Sequence, residues 1–288
     1  MKMHASCVAR HSGLWAVDAR WFSQTWACIK AGAIRAMEPD EAERRSSVPV
    51  HVTEDGIAVV SINGPMLKGA SKFGNANSVE ARSVVRAAAG DTNVRAMLLK
   101  IDSPGGTVAG TDDLATDVAA ANKVKPVYAQ IEDLGASAAY WVASQAGSVF
   151  AGPTSEVGSI GVYAVVEDSS KAAEMDGIKV HVVSSGGMKG AFADGTPITD
   201  DQLAYLQQQV DRSNGFFVDA IRRGRGMSES KAAKVTTGET WYAQEAFDLG
   251  LIDGVQRLDE TLTMIRKDLK GRDAAARAKR QVAVMRTR

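Results

Sequence analysis

Ser137 stands in "GASAAYWVASQA" (135–146), with small residues before it and Ala138, Ala139, Tyr140 and Trp141 after it, where a loop turns into a helix. A serine at that point can cap the helix by accepting a hydrogen bond from an orphan amide of the first turn. It can equally be a nucleophile, because the helix's positive end and its free amides favour a developing negative charge. The stretch alone leaves both roles open.

A nucleophilic serine needs a base. Of the four histidines, His4 and His11 lie in the N-terminal stretch and His51 precedes the first core strand. His181 sits in the apolar run "KVHVVS" (179–184), an ordinary setting for a structural histidine. The Gly-x-Ser-x-Gly elbow is missing too, the local wording being GASAA, so a Ser-His-Asp triad has thin support. Lys189 is the other candidate, lying in "SSGGMKGAF" (184–192) with no acid before Asp194. Apolar, acid-free surroundings favour the neutral amine, which can take a proton from serine. An exposed loop lysine would have the same wording.

Two further loops are rich in glycine. Ser103-Pro104-Gly105-Gly106 follows an apolar run, and such a pair can turn its amides into one anion-binding concavity or simply make a tight turn. It is not a phosphate loop, because no Gly-Lys-Ser or Gly-Lys-Thr follows. Ser159, in "EVGSIGV", is a third polar group in a turn.

The elements that must position these loops alternate. Strands are expected at 56–62, 95–101, 126–131, 148–152, 160–166 and 178–184. A helix is expected over 77–90, with Asn77 and Glu80 spaced as a capping box and Gly90 as its stop, and another over about 108–122. A long amphipathic helix opens at Thr199 and Gln202 and carries Leu203, Leu206, Val210, Phe217 and Ile221 at helical spacing. Strand–helix alternation implies an α/β fold with a largely parallel sheet. In that arrangement the loops bearing Gly105 and Ser137 would be neighbours, and their amides could flank one carbonyl oxygen.

Residues 1–49 read as an N-terminal arm and linker, 50–256 as the main domain, and 257–288 as a helical or disordered basic tail. In the arm, Trp15, Val17, Phe22 and Trp26 suit a packing helix against the chain itself or a sister copy, more than membrane contact. From Arg272 onward six basic residues stand against one acid, Asp273, as in a solvated tail or a docking segment for an acidic partner. Over the whole chain of 288 residues, 34 Lys and Arg balance 34 Asp and Glu, so no global charge draws it to nucleic acid. Cys7 and Cys28 form no metal-ligand pattern, and the expectation is reduced thiols, no metal and no cofactor. No run of about 18 apolar residues is present, so no membrane span is expected and the reading is cytoplasmic.

Taken together, "IDSPGGTVAG", "GASAAYWVASQA", "GPTSEVGSIGVY", "GGMKGAF" and "TTGETWYAQEAFDLGLIDGV" resemble, in order, the blocks of the signal peptide peptidase A family of serine peptidases over about residues 50–256. The resemblance implies a ClpP/crotonase-like fold with flanking helices and a Ser/Lys dyad. It matches Ser137 to the nucleophile, Lys189 to the general base and Ser159 to the serine that orients the lysine. Gly105 and Ala138 match the oxyanion amides, and Gly106 lies on the substrate-binding side. Family members form rings, and in short ones the serine and lysine of one site can come from neighbouring subunits, so a homo-oligomer is expected.

The wording is most similar to the phage head maturation branch, of the lambda C type, which implies scaffold, portal or capsid proteins as substrates, in the host cytoplasm or within proheads. Two alternatives remain. One is a bacterial cytoplasmic relative degrading peptides. The other is a non-proteolytic crotonase-fold enzyme acting on acyl-CoA, against which stands the Ser/Lys pair.

Overall fold

The computed structural model describes residues 13–34, 47–69, 71 and 75–286. His4, His11 and Cys7 lie outside the described residues, and Cys28 is free and exposed. The chain opens with a short strand, β1 (Trp15–Val17), and a helix, α1 (Ala19–Lys30). Asp18 caps α1, its carboxylate accepting from the amides of Arg20 and Trp21. After β2 (Val50–Val52) come β3 (Ile57–Asn63), the short β4 (Met66–Leu67) and β5 (Ala76–Asn77), and the helix α2 (Ser78–Gly90). Asn77 caps α2 as expected, accepting from Val79 and Glu80; the helix runs through Gly90 to end at Asp91.

Next are β6 (Ala96–Ser103), β7 (Gly105–Thr107), α3 (Thr111–Val124), β8 (Val127–Ala136) and α4 (Ala138–Ala143). Then follow β9 (Ser148–Ala151), β10 (Glu156–Gly158), α5 (Ser170–Met175) and the long α6 (Asp200–Arg225). The expected capping box at Thr199 and Gln202 opens α6, and Gly226, at φ 61°, closes it. The chain ends through α7 (Glu229–Ala233), β11 (Thr240–Tyr242), α8 (Ala243–Asp248), β12 (Gly254–Val255) and α9 (Leu258–Arg286).

The main sheet runs β11-β10-β8-β6-β3-β2, with β9 and β12 branching from β8. Its β3, β6, β8, β9, β10 and β12 pairings are parallel, and β2 and β11 add antiparallel edges. The mixed α/β architecture with mostly parallel strands is therefore the one observed. β8 changes partner along its length: Tyr128–Ile131 pair with β9, and Leu134–Ala136 pair with β10.

The strand period of two divides the sheet's residues between two cores. Ala58, Val60 and Ile62, with Met97, Leu99 and Ile101, face the packed helices α2, α3, α4 and α6. Ile57, Val59, Leu98 and Tyr128 face the other way and are sealed by Ile265 and Leu269 of α9.

Two expected strands are not formed. Residues 160–166 contribute only one bridge, Tyr163 to Trp15, and 178–184 are exposed throughout with no ladder. Their β-branched runs have strand propensity, but among the described residues no strand pairs with 178–184. Likewise Leu203, expected on the buried stripe of α6, is 44% exposed, and the fully buried part of that helix is Phe217, Ala220 and Ile221.

Candidate active site

Ser137 follows the last residue of β8 and precedes α4, every residue of which is buried. Its backbone is at φ 53°, ψ −120°, a region that non-glycine residues rarely adopt and that costs of order 1–3 kcal/mol. Three contacts hold it there. The Ser137 amide donates to Gly158 O at 2.7 Å, and its carbonyl accepts from Trp141 N at 2.8 Å. Behind it, Trp141 stacks on Phe217 of α6 at 4.6 Å, with the rings 8° from parallel. The helix therefore cannot rotate to relax the serine without breaking a core contact. Ser137 makes no side-chain capping bond, and its Oγ is buried with no hydrogen-bond partner. The cap reading is thus not what the structure shows.

The neighbouring parallel strand β10 ends in the same way. Ala136 and Gly158 are register partners, so Ser159 stands beside Ser137 at the same sheet edge, also with positive φ (50°) and with its amide donating to Glu239 O at 2.6 Å. On the opposite side of β8, β6 delivers the Ser103–Gly106 loop, with Ser103 and Gly135 in register. Gly105 has φ 94°, and a Cβ placed on it would fall 2.8 Å from Ala138 N and 2.9 Å from Ala136 O. Only glycine fits there. The structure thus brings the backbones of Gly105, Ala138, Ser137 and Ser159 to one edge. The Gly105 amide makes a long contact, 3.2 Å, to Ser103 Oγ, which itself donates to Gly64 O at 2.6 Å. Gly106 is packed between β4 and β1, where a Cβ would lie 1.7 Å from Met66 O.

Lys189 is not brought to this edge. It is exposed, in a turn closed by its own amide donating to Gly186 O at 2.9 Å, and it makes no hydrogen bond to Ser137 Oγ. His181 is exposed on the same segment. Beside Ser159 opens a cleft of about 860 Å³ whose lining includes Val17, Arg20, Ser159, Tyr163, Asn214 and Trp241. Sequence reasoning missed β1 and Tyr163 as part of this edge. Three residues of "WAV" carry too short a pattern to be read as a strand. Among the described residues no cluster of acids, histidines and cysteines could hold a metal ion, and no helix is long and apolar enough to cross a membrane.

The sequence model described as peptidase family S49 matches residues 119–272, more than half of the chain and the whole stretch from α3 to the first half of α9. The chain belongs to peptidase family S49. This S49 chain is 31% identical over 227 residues to capsid assembly protease C of Escherichia phage lambda, covering 76% of this chain and 50% of that protein. It is 26% identical over 207 residues to Protease 4 of Haemophilus influenzae, covering 72% of this chain and 34% of that protein. It is also 26% identical over 234 residues to the head-tail preconnector protein GP5 of Enterobacteria phage P21, covering 79% and 46%. It therefore spans between a third and a half of the length of these relatives. Among solved structures it is similar to an enoyl-CoA hydratase from Shewanella pealeana, with 12% identity, a TM-score of 0.48, and 81% of this chain and 78% of that one covered. At that level the likeness says nothing of chemistry.

Proposed function

We propose that this chain is a serine endopeptidase with Ser137 as nucleophile and Lys189 of a neighbouring copy as general base. The observation that carries the reading is Ser137 itself: a strained, buried serine whose hydroxyl has no structural employment, beside the Gly105 and Ala138 amides. Lys189 as neutral amine takes the Ser137 proton as Oγ attacks the peptide carbonyl. The two amides hold the oxyanion, and the lysine returns the proton to the leaving amine; water then releases the acyl group. Ser159, next to Ser137, orients the lysine. No cofactor enters these steps.

Supply of the lysine from a second copy is favoured by its position. Lys189 lies on a stretch whose apolar side chains are uncovered, with Met175 at 88% and Val183 at 98% exposure, and such surfaces mark association. The natural substrates we infer are proteins of phage capsid assembly, processed in the host cytoplasm or prohead. The similarity to two phage proteins, one named as a capsid assembly protease, supports this.

Unfolded casein tests the chemistry. Wild type and His181→Ala are expected to degrade it, and Ser137→Ala and Lys189→Ala to be inert while still folded. Loss of activity in His181→Ala alone would make histidine the base and overturn the dyad.

A further inference from the structure

The strand β1 lies where a substrate would have to lie. It is the outer strand of the small sheet β1-β7-β4-β5, so without it the edge of β7, the strand that contains Gly105 and Gly106, would be bare. The pairing is antiparallel, with Ala16 opposite Gly106 and Val17 opposite Gly105. Asp18 N donates to Pro104 O at 2.8 Å, and Val108 N donates to Leu14 O at 3.1 Å. The other edge of β1 is taken as well: Trp15 and Tyr163 exchange both of their backbone hydrogen bonds at 2.9 Å. An extended segment held by main-chain bonds on both sides is how proteins capture peptides of varied sequence.

The segment also reaches the reacting edge. Ala16 is fully buried, and its carbonyl oxygen lies 2.3 Å from the point where a Gly105 Cβ would stand, a point that is itself 2.8 Å from Ala138 N. Ser137 Oγ beneath is closed off from solvent. Yet the arm is fastened by contacts that can be released. Arg20 of α1 meets Glu156 at 2.6 Å and Thr240 at 2.9 Å with its side chain 63% exposed, and Trp15 touches Phe22 with ring centroids 5.5 Å apart. Exposed ion pairs of this kind are worth about 0–1 kcal/mol.

We propose that Leu14–Asp18 is an internal peptide that occupies the binding cleft for extended polypeptide and blocks Ser137 until it is displaced. This rests on the reading of Ser137 as the nucleophile. The cleft takes a peptide in antiparallel register with β7, with a small side chain where Ala16 now sits. A site occupied in most molecules binds an outside peptide more weakly, in proportion to the small fraction that stands open.

The test uses the full chain carrying Ser137→Ala, so that binding is read without turnover. The probe is a fluorescein-labelled synthetic peptide of Leu14–Arg20, LWAVDAR, followed by anisotropy. Adding Ala16→Asp, which puts a charge into a buried position, is expected to tighten binding at least about tenfold. Trp15→Pro, which removes both the amide that donates to Tyr163 O and the indole that touches Phe22, serves as a second variant should the first fail to fold, and is expected to act in the same direction. Equal binding in parent and folded variants, or no binding in any, would overturn the proposal. So would a cut between residues 14 and 18 that appears in wild type and not in Ser137→Ala, since the segment would then be a substrate. Because the readout is binding, it stands apart from the casein assay. Casein cleavage that depends on Ser137 without tighter binding removes only this inference, and tighter binding without casein cleavage even by Ala16→Asp with Ser137 intact removes the peptidase reading.

Discussion

At Ser137 a left-handed backbone and an unpartnered buried hydroxyl coincide, and both are unfavourable for stability. A residue kept there for packing would have neither. Replacing it by glycine relieves the backbone, and the entropy that glycine loses on folding offsets part of the gain. Ser137→Gly is therefore expected to be inert but more stable than wild type by about 1 kcal/mol, or roughly 2 °C in Tm. Ser137→Ala, which keeps the strain, should gain less. Equal melting of all three proteins would show that no strain is stored at this position. The small residues around Ser137 and the Gly105–Gly106 pair were legible because their placement at strand ends depends on neighbours in sequence. The left-handed backbone of Ser159 and the distance of Lys189 from Ser137 were not, because strand pairing and the course of the 163–199 segment set them.

Among the elements, α4 positions the serine and α9 secures the sheet from behind. Tyr128 of β8 donates to Asp268 of α9 at 2.7 Å, and Arg272 donates to the same carboxylate at 2.7 Å. The Tyr128 hydroxyl, and then the Arg272 guanidinium, hold the Asp268 carboxyl below the usual carboxylate range. Burial, with the bond to Asp268, pushes Tyr128 up to about 12. A depressed carboxyl adds stability above its unfolded pKa of about 4, and that stability is lost as pH falls through the lower folded value. Tyr128→Phe should therefore cost about 1 kcal/mol in urea unfolding at neutral pH. The gap to wild type should narrow as pH drops below about 4, and a gap that widens in acid would contradict the assignment.

Elements with a local signature were readable. Asn77 and Thr199 announce α2 and α6, and the buried apolar runs announce β3, β6 and β8. The runs at 160–166 and 178–184 misled, because a strand also needs an edge to pair with. β1 and β11 were missed because three residues carry almost no periodic signal.

Over the described residues, the large apolar side chains left exposed include a series from Val165 to Tyr205 that brackets Lys189, while the strand ends around Ser137 are closed. The two halves of the proposed dyad thus sit on parts of the chain that do not meet within one copy. The proposed second copy would account for both, covering the apolar stretch and carrying a lysine to the serine. Composition could not reveal this, since an exposed loop and an interface have the same residues until the fold shows what they fail to touch. The most direct measurement is to mix Ser137→Ala and Lys189→Ala, each inert alone, under conditions that exchange subunits, and follow casein hydrolysis. A site shared between copies predicts that the mixture regains activity, because some neighbouring pairs carry one intact serine and one intact lysine. A mixture that stays inert after demonstrated exchange would contradict the shared dyad.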